Sequence, residues 1–325
     1  MKDPKIFVTG ATGFIGRHLV NSLLERKQYL YILTRNPDRV PLRWKDRLSI
    51  LKGDLSDTGF SLPDGTEIVF HCAGEIKDKS RFQETNVEGT RNIVNACLKH
   101  GRCKLVYLSS VGVMGADKDG LIGEGTNCSP KNIYEKTKYE AERIIQDAVR
   151  DSGLNAVILR PSIVYGPGIA KTRDSFLALI KAIKSKKFCL FGKKPSYYNI
   201  VYVGDVVEAL IYLADTDIKV SGETFIINDV IPWEDFIKEV LSILKKNNAV
   251  MEIPGFIGYS LALLCEAANR VGVKTPFSLS RYRVLTCKTI FSSVKLSEQA
   301  GYRFRYGNKE GIKITLKHYL DQGLL

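Results

Sequence analysis

Tyr134 and Lys138 are spaced as a general acid–base pair. They stand four residues apart in segment 132–150, whose pattern is helical, so their side chains would share one face of the helix. A phenol is a poor base at neutral pH, and lowering its pKa from about 10 to about 7 requires about 4 kcal/mol of preferential stabilisation of the phenolate. A lysine ammonium one turn away, together with an oxidised nicotinamide ring, can supply much of that stabilisation by Coulomb attraction. The pair therefore predicts proton exchange with a bound substrate.

Two serines upstream would add a hydroxyl to the same cleft. Ser109 and Ser110 follow directly after the apolar run Lys104–Leu108, which predicts a buried strand. A tyrosine and a lysine at this spacing are common on surface helices, so the pair alone is weak evidence. A serine at the carboxyl end of a strand strengthens the interpretation as a catalytic cleft.

A glycine-rich loop joins the first predicted strand, Lys5–Thr9, to a predicted helix over 14–26. Its three glycines permit a tight turn, a close approach of the backbone to a pyrophosphate, and close packing of the helix on the sheet. The free N–H groups and the dipole of the helix N-terminus favour phosphate there. The loop predicts a dinucleotide site, to which we assign Gly10, Thr12, Gly13, Phe14, Ile15 and Gly16.

Arg35 bears on which dinucleotide is bound. It follows the second predicted strand, Leu30–Thr34, where a carboxylate would hold the ribose 2′-hydroxyl of NAD and a cation would accept the 2′-phosphate of NADP. No carboxylate occupies the position, so the sequence favours NADP, with NAD as the alternative.

The elements that position these residues alternate between strand and helix. Continuous apolar runs separated by helical patterns predict an α/β fold with a doubly wound parallel sheet, a Rossmann sheet covered on both faces. We predict a dinucleotide-binding domain over 1–165, to which the chain returns at about 198–230. Residues 166–325 would form a smaller, mostly helical substrate region. An apolar stretch at 253–268 predicts a buried or capping helix.

Composition narrows the class of protein. The 325 residues are 44% hydrophobic and 26% charged, with a net charge of +13, which is typical of a globular protein and excludes disorder and collagen. Seven scattered cysteines without a C-x-x-C pair predict reduced thiols. We expect a cytoplasmic protein with no signal peptide, no membrane span and no nucleic-acid partner. The four histidines show no spacing typical of ligands, so no metal is predicted.

In this order, the motifs resemble the extended branch of the short-chain dehydrogenase/reductase superfamily, which includes NAD-dependent epimerases, dehydratases and hydroxysteroid dehydrogenases. The resemblance covers nearly the whole chain and includes the following further segments: Gly53-Asp54-Leu55, His71-Cys72-Ala73-Gly74, Asn86-Val87-Glu88-Gly89-Thr90, and Arg160-Pro161 before Tyr165-Gly166.

The resemblance implies roles for individual residues. Ser110 would hydrogen-bond the substrate oxygen, Tyr134 would exchange its proton, and Lys138 would bind the nicotinamide ribose while lowering the tyrosine pKa. It also implies that Asp54 and Leu55 contact the adenine of the cofactor. Ala73 and Gly74 would line the ribose and the diphosphate, and Pro161 to Ile163 would flank the nicotinamide. Asn86 would lie near the cofactor or mark a helix kink. Relatives of this branch often form homodimers through the helices predicted at 81–100 and 132–150.

The substrate remains open among three hypotheses. The first is an epimerase or keto-reductase acting on a nucleotide-linked sugar, with Val111-Gly112 arguing against dehydratase chemistry. Many epimerases hold the sugar-nucleotide phosphates with an arginine where this chain has Tyr197-Tyr198-Asn199, although Lys193, Lys194, Arg281 and Arg283 could serve instead. The second hypothesis is a hydroxysteroid or lipid-alcohol dehydrogenase, and the third a non-enzymatic dinucleotide-binding subunit.

Overall fold

A seven-stranded sheet forms the centre of the protein in a computed structural model. The structure describes residues 5–325 except 58, 116–118, 170–173, 193–194, 217, 248–249, 271, 274 and 276. The strands of the central sheet, numbered along the chain, stand in the order β12 (Thr224–Ile227), β7 (Ala156–Pro161), β5 (Lys104–Leu108), β4 (Thr66–His71), β1 (Lys5–Thr9), β2 (Leu30–Thr34) and β3 (Leu48–Lys52), and every neighbouring pair is parallel. The predicted α/β fold class is therefore confirmed.

The strands and helices alternate along the first half of the chain. The strands are β1 (Lys5–Thr9), β2 (Leu30–Thr34), β3 (Leu48–Lys52), β4 (Thr66–His71), β5 (Lys104–Leu108), β6 (Gly120–Ile122), β7 (Ala156–Pro161), β8 (Ile163–Tyr165), β9 (Cys189–Phe191), β10 (Tyr197–Tyr198), β11 (Ile200–Tyr202), β12 (Thr224–Ile227), β13 (Ile231–Pro232), β14 (Met251–Ile253) and β15 (Thr289–Phe291). The helices are α1 (Phe14–Glu25), α2 (Gly89–His100), α3 (Ile133–Ser152), α4 (Ser175–Lys184), α5 (Val203–Asp215), α6 (Trp233–Ile243), α7 (Gly255–Arg270), α8 (Leu279–Leu285), α9 (Val294–Glu298) and α10 (Gly307–Asp321).

The central strands are apolar throughout because helices cover both faces of the sheet. Adjacent residues of β1 enter different cores, as alternation of side chains along a strand requires. Val8 packs in the core that contains residues of α1 and α5, such as Leu19 and Leu210. Phe7 packs in the core formed with α2 and α3, which contains Ile93 among others. Neither face is left to solvent, which is typical of a parallel sheet.

The strand order reverses between β1 and β4, which are neighbours in the sheet but not along the chain. In such sheets a crevice opens outside the carboxyl ends of the two strands at the reversal, and ligands bind there. The glycine-rich loop follows β1, and His71 ends β4. The topology therefore brings the loops expected to hold the dinucleotide to one edge.

Beyond residue 165 the chain builds a second core and also returns to the sheet. Helices α4, α6 and α10 pack around aromatic side chains such as Trp233 and Phe236. Strand β12 then adds to the edge of the central sheet beside β7. Helix α5 packs on the central sheet and β12 is one of its strands, whereas α4 and α6 pack in the second core. The two regions are therefore interleaved along the chain. The division at residue 165 stays a prediction.

Two predicted helices differ from the structure. The helix predicted over 81–100 begins regularly only at Gly89, after a π-helical segment, Gln83–Glu88. The apolar stretch at 253–268 was predicted to form a buried or capping helix; most of it forms α7, but burial is wrong, because in α7 only Gly258 and Ala262 are buried. These small residues allow close packing, since a Cβ added to Gly258 would lie 2.3 Å from the Phe191 ring. Among the described residues no helix is long and apolar enough to cross a membrane.

Candidate active site

The glycine-rich loop is held in a turn that side chains would disrupt. Gly10 has a φ of +71°, and a Cβ on it would lie 2.5 Å from the backbone nitrogen of Ala73. A Cβ on Gly16 would lie 2.1 Å from the carbonyl oxygen of Gly10. Gly13 caps α1 without a side-chain hydrogen bond, so the first N–H groups of that helix have neither an intrahelical partner nor a capping side chain. The residues form a cradle for an anion at the helix N-terminus.

His71 fastens the loop after β4 to this cradle. Its ring is fully buried, with Nδ1 2.7 Å from the Thr9 hydroxyl and Nε2 3.0 Å from the Thr90 hydroxyl. Burial, and secondarily the charge of Lys138, lowers the pKa of His71 to about 3, so the imidazole is neutral. The Thr9 hydroxyl also accepts a hydrogen bond from the backbone N–H of Ala73. His71 therefore positions the two loops.

Asn86 holds the backbone that follows Gly74. Its amide oxygen accepts a hydrogen bond of 2.7 Å from the Glu75 N–H, and its amide nitrogen donates to the Glu75 carbonyl and to the Thr137 hydroxyl. The side chain is buried within the π-helical turn. Its polar atoms are thus used by the protein, which supports a positioning role and ties the Gly74 loop to α3. Thr137 was not recognised in the sequence, although it precedes Lys138 on the same helix.

Asp54, for which the resemblance implies an adenine contact, lies beside Arg35. The Asp54 carboxylate accepts a hydrogen bond of 3.0 Å from Arg81, and Arg35 lies 3.6 Å from the same oxygen. Arg81 was missed by sequence reasoning, because nothing in the pattern links it to residue 54. Leu55 is buried directly beneath Gly89, where a Cβ would lie 2.9 Å from its own. The half-exposed Arg35 guanidinium is thus already balanced by one carboxylate.

Ser110 and Tyr134 lie at the starts of two adjoining helical segments. The Ser110 hydroxyl caps the short helix Val111–Met114 and accepts a hydrogen bond of 3.1 Å from the Gly112 N–H, which leaves its own hydrogen free to be donated. Tyr134 stands in the first turn of α3, which Asn132 and Glu135 close with a reciprocal capping box. A Cβ on Gly112 would lie only 3.1 Å from the Glu135 side chain, so the two segments are packed together.

Lys138 is buried at the bottom of this arrangement. Its ammonium donates a hydrogen bond of 2.7 Å to the carbonyl of Leu108, at the end of β5, and lies 4.1 Å from the centre of the Tyr107 ring. Burial lowers the pKa of Lys138 to about 7, although Glu142 and Cys72 oppose the shift. The carboxylate of Glu142 is itself bound by Arg160, at 2.6 and 2.9 Å. The ammonium is therefore held mainly by a carbonyl dipole.

The tyrosine pKa in the free protein does not test the expected lowering, which combined Lys138 with an oxidised nicotinamide ring. Burial, with a smaller contribution from Glu135, raises the pKa of Tyr134 to about 12 in the free protein. Lys138 alone does not lower the tyrosine pKa in the free protein, because the ammonium is bound to Leu108 and its own pKa is near neutrality. A further positive charge is needed before the phenolate becomes accessible.

Unpaired hydroxyls lie at the same edge of the sheet. Pro161 ends β7 and Ile163 begins β8, with Ile163 half exposed and Ser162 between them buried. The Ser162 and Ser109 hydroxyls are buried without a hydrogen-bond partner, which is unusual for buried polar atoms. Together with the glycine cradle, these orphaned hydroxyls fit a bound dinucleotide better than an apolar ligand.

The residues considered for substrate phosphates are dispersed. Tyr198 stacks on Trp233 at 4.0 Å, and buried Asn199 donates a hydrogen bond to the Thr289 carbonyl, so neither offers a cation to a ligand. Arg281 and Arg283 lie on the exposed side of α8. The two candidate lysines, Lys193 and Lys194, lie outside the described residues.

A parallel sheet with a glycine cradle at its order reversal, and a serine, a tyrosine and a buried lysine near the same edge, is the arrangement expected of a dinucleotide-binding protein of the Rossmann type. The model of the NAD dependent epimerase/dehydratase family matches residues 6–227, and the chain belongs to that family. This membership confirms the resemblance to extended short-chain dehydrogenases/reductases.

The relatives of this chain include proteins named as steroid dehydrogenases and proteins named as sugar-nucleotide epimerases. The chain is 30% identical to a 3beta-hydroxysteroid-dehydrogenase/decarboxylase, isoform 2, of Arabidopsis thaliana over 96% of its own length, but it spans only 61% of that protein. It is 28% identical to a UDP-glucose 4-epimerase of Vibrio cholerae over 78% of this chain and 80% of the epimerase. A crystal structure of the UDP-glucose 4-epimerase of Thermotoga maritima is similar with a TM-score of 0.74 at 21% identity, covering 98% of this chain and 99% of that one.

Replacing Gly10 by alanine should remove dinucleotide binding. The substitution combines left-handed backbone strain with a collision against Ala73, so we expect a loss of about 3 kcal/mol in the free energy of unfolding. We expect NAD affinity, measured by calorimetry, to fall at least about tenfold. Gly101→Ala is the matched control, because Gly101 also has a positive φ but nothing within 4 Å of the added Cβ. If Gly10→Ala and Gly101→Ala lowered NAD affinity equally, the assignment of the glycine-rich loop as the dinucleotide site would be contradicted.

The buried ammonium predicts a pH dependence of stability. With the pKa of Lys138 at about 7 in the folded protein and 10.5 as its ordinary value, the unfolded chain binds a proton that the folded chain lacks between these limits. The unfolding free energy of the wild type should therefore rise with pH across this window relative to Lys138→Met, by up to about 1.4 kcal/mol per pH unit. Urea denaturation from pH 7 upward measures both proteins. Parallel pH profiles would show that Lys138 is not buried as a depressed base.

Proposed function

We propose that this protein transfers a hydride between a nicotinamide dinucleotide and the hydroxyl or keto carbon of a nucleotide-linked sugar, as an epimerase or a reductase. The observation that carries the proposal is that Lys138 donates to the Leu108 carbonyl, two residues before Ser110, while Gly112 packs against Glu135, the residue after Tyr134. Membership of the NAD dependent epimerase/dehydratase family and the similarity to UDP-glucose 4-epimerases support it.

Ser110 and Tyr134 would have different roles in proton transfer. Ser110 would donate its hydrogen to the substrate oxygen, because the Gly112 N–H occupies only one of the two lone pairs of the hydroxyl and leaves the hydrogen available. Tyr134 gives its phenolic proton to that oxygen when a keto group is reduced, and takes the hydroxyl proton when an alcohol is oxidised. The bound dinucleotide supplies or accepts the hydride, and its oxidised ring adds the positive charge that favours the phenolate.

Lys138 would hold the nicotinamide ribose. A lysine ammonium has three donors, and the Leu108 carbonyl uses one of them. The remaining two are available to ribose hydroxyls. Ala73 and Gly74, the backbone after β4, would border the same ribose and the diphosphate, while Pro161 and Ile163 would flank the nicotinamide. Asp54 would meet the adenine amino group beside Leu55.

We propose NADP as the preferred dinucleotide, with NAD also bound. Support comes from the half-exposed Arg35 guanidinium at the end of β2, where a 2′-phosphate would add a second anion beside Asp54. We also propose that two copies pair through α2 and α3, as extended-branch relatives do. Seven free cysteines are consistent with a reducing, cytoplasmic setting.

A hydroxysteroid or other lipid alcohol is the second candidate substrate. The Arabidopsis relative named for such a substrate matches 96% of this chain, whereas the Vibrio epimerase matches 78%. The uncharged Tyr198 and Asn199 occupy the place where many epimerases hold phosphates, and both are used in packing. These observations are the support for a lipid alcohol as the second candidate.

Turnover on a mixed panel of nucleotide sugars and 3-hydroxysteroids tests the proposal. Epimerisation would leave the cofactor pool unchanged, and reduction would consume NADPH in proportion to product. Turnover of steroids alone would replace the first candidate by the second. A dinucleotide-binding protein that turns over neither class would contradict the proposed activity and support a non-enzymatic subunit.

Tyr134→Phe should lower turnover by about 10²- to 10⁴-fold, because it removes the exchangeable proton while keeping the ring. We expect the dinucleotide affinity to change by less than about twofold, since the cradle is untouched. Tyr139→Phe is the matched control, since Tyr139 is a half-buried tyrosine of the same helix. Retained activity in Tyr134→Phe would exclude this phenol as the acid–base group.

Arg35→Ala should weaken NADP binding selectively. Removing the guanidinium takes away the charge-assisted bond to a 2′-phosphate, so we expect NADP affinity to fall about tenfold or more. NAD affinity, which serves as the internal control, should stay within about twofold. The dissociation constants are compared at one fixed ionic strength, because phosphate binding is sensitive to salt. Wild-type protein that binds NAD more tightly than NADP would contradict the preference.

A further inference from the structure

Helix α7 presents large apolar side chains to solvent. Phe256 is 73% exposed and Leu264 is 69% exposed, and Leu263 lies between them on the same face, at the i+7 position from Phe256. The neighbouring side chains Ile257, Tyr259 and Leu261 are also between 44% and 49% exposed. A helix that is apolar nearly all round is expected in a core or at a membrane, and α7 is not in the core. Its outward face therefore requires a partner.

The surroundings of this face are strongly basic. Segments 171–194 and 245–288 contain 15 lysines and arginines and three acidic residues, an excess of 12 in a chain whose net charge is +13. The fold brings the two segments together, because β9 pairs with β14, the strand that leads into α7. Arg270 ends α7, and Arg283 lies exposed on α8, which packs against α7. The described residues of the two segments hold ten of these lysines and arginines and all three acidic residues, and Arg270 and Arg283 place part of this positive charge beside the apolar helix.

The charge selects among the partners that could cover the face. A second copy of this chain would bring the same basic segments together, and their repulsion opposes pairing through α7. An anionic lipid surface offers both an apolar interior for the helix face and headgroups for the arginines and lysines. We propose that α7 docks this protein on membranes that contain anionic lipids, with Phe256, Leu263 and Leu264 entering the interfacial layer. The helix lies on the membrane and does not cross it.

The docking does not depend on which substrate is used, so it can be tested separately from catalysis. The full-length protein is floated with vesicles of phosphatidylcholine, and with vesicles in which about 30% of the lipid is phosphatidylglycerol. We expect binding to the anionic vesicles, little binding to the neutral ones, and release at high salt. Phe256→Ser combined with Leu264→Ser should lower the bound fraction about tenfold.

Matched variants separate docking from general effects on the fold. Leu42→Ser is the control for the apolar changes, because Leu42 is 78% exposed and lies outside both basic segments, and it should bind vesicles as the wild type does. Arg270→Glu combined with Arg283→Glu should lower binding to anionic vesicles at least about fivefold and reduce its dependence on salt. Unchanged NAD affinity and thermal unfolding in each variant show that the fold is intact.

Three results would overturn the proposal. The first is a wild-type protein that floats with neither vesicle, or equally with both. The second is a serine double variant that binds anionic vesicles as well as the wild type does. The third is a dimer in sedimentation that the serine variant converts to monomers while no vesicle binding is seen, which would assign the face to a second copy.

Discussion

The hydrogen bond from the Lys138 ammonium to the Leu108 carbonyl fixes the geometry on which the candidate site depends. It joins α3, which carries Tyr134, to the end of β5, where Ser110 follows two residues later. A buried ammonium that makes few compensating contacts is unfavourable, and its lowered pKa expresses that cost. The ammonium that holds α3 against β5 is also the group that would bind the cofactor ribose, so the position of the helix and the position of the cofactor depend on the same side chain.

The sequence was sufficient for the fold class and for the approximate place of the site. Apolar strands alternating with helical patterns, and glycines at a strand–helix junction, have few structural solutions, and the reversal of strand order between β1 and β4 lies where the glycine motif indicated. Contacts between distant segments were not predictable. Arg81 beside Asp54 and Asn86 bound to Thr137 depend on loop paths that no local pattern encodes.

The expected burial of the α7 stretch was wrong, whereas the lowered pKa expected for Tyr134 beside Lys138 and an oxidised nicotinamide ring stays a prediction. The sequence pattern of α7 shows that its residues are apolar but does not indicate which surface they contact. The helix packs on the rest of the protein through Gly258 and Ala262, so its large side chains are exposed to solvent. The spacing of Tyr134 and Lys138 gives a shared helix face, but the ammonium turns to a carbonyl, and burial raises the tyrosine pKa in the free protein. The protein therefore supplies position, and the charge that activates the phenol must come with the cofactor.

Titration of Tyr134 itself tests most directly whether the bound cofactor supplies the charge that lowers the phenol pKa. With ¹³C-labelled tyrosine, the Cζ resonance of Tyr134, assigned by its absence in the phenylalanine variant, reports the phenol pKa by NMR. The account predicts a pKa of about 12 in the free protein, which burial causes, and a value far lower once oxidised NAD or NADP is bound. A tyrosine pKa that is the same with and without the dinucleotide would contradict it.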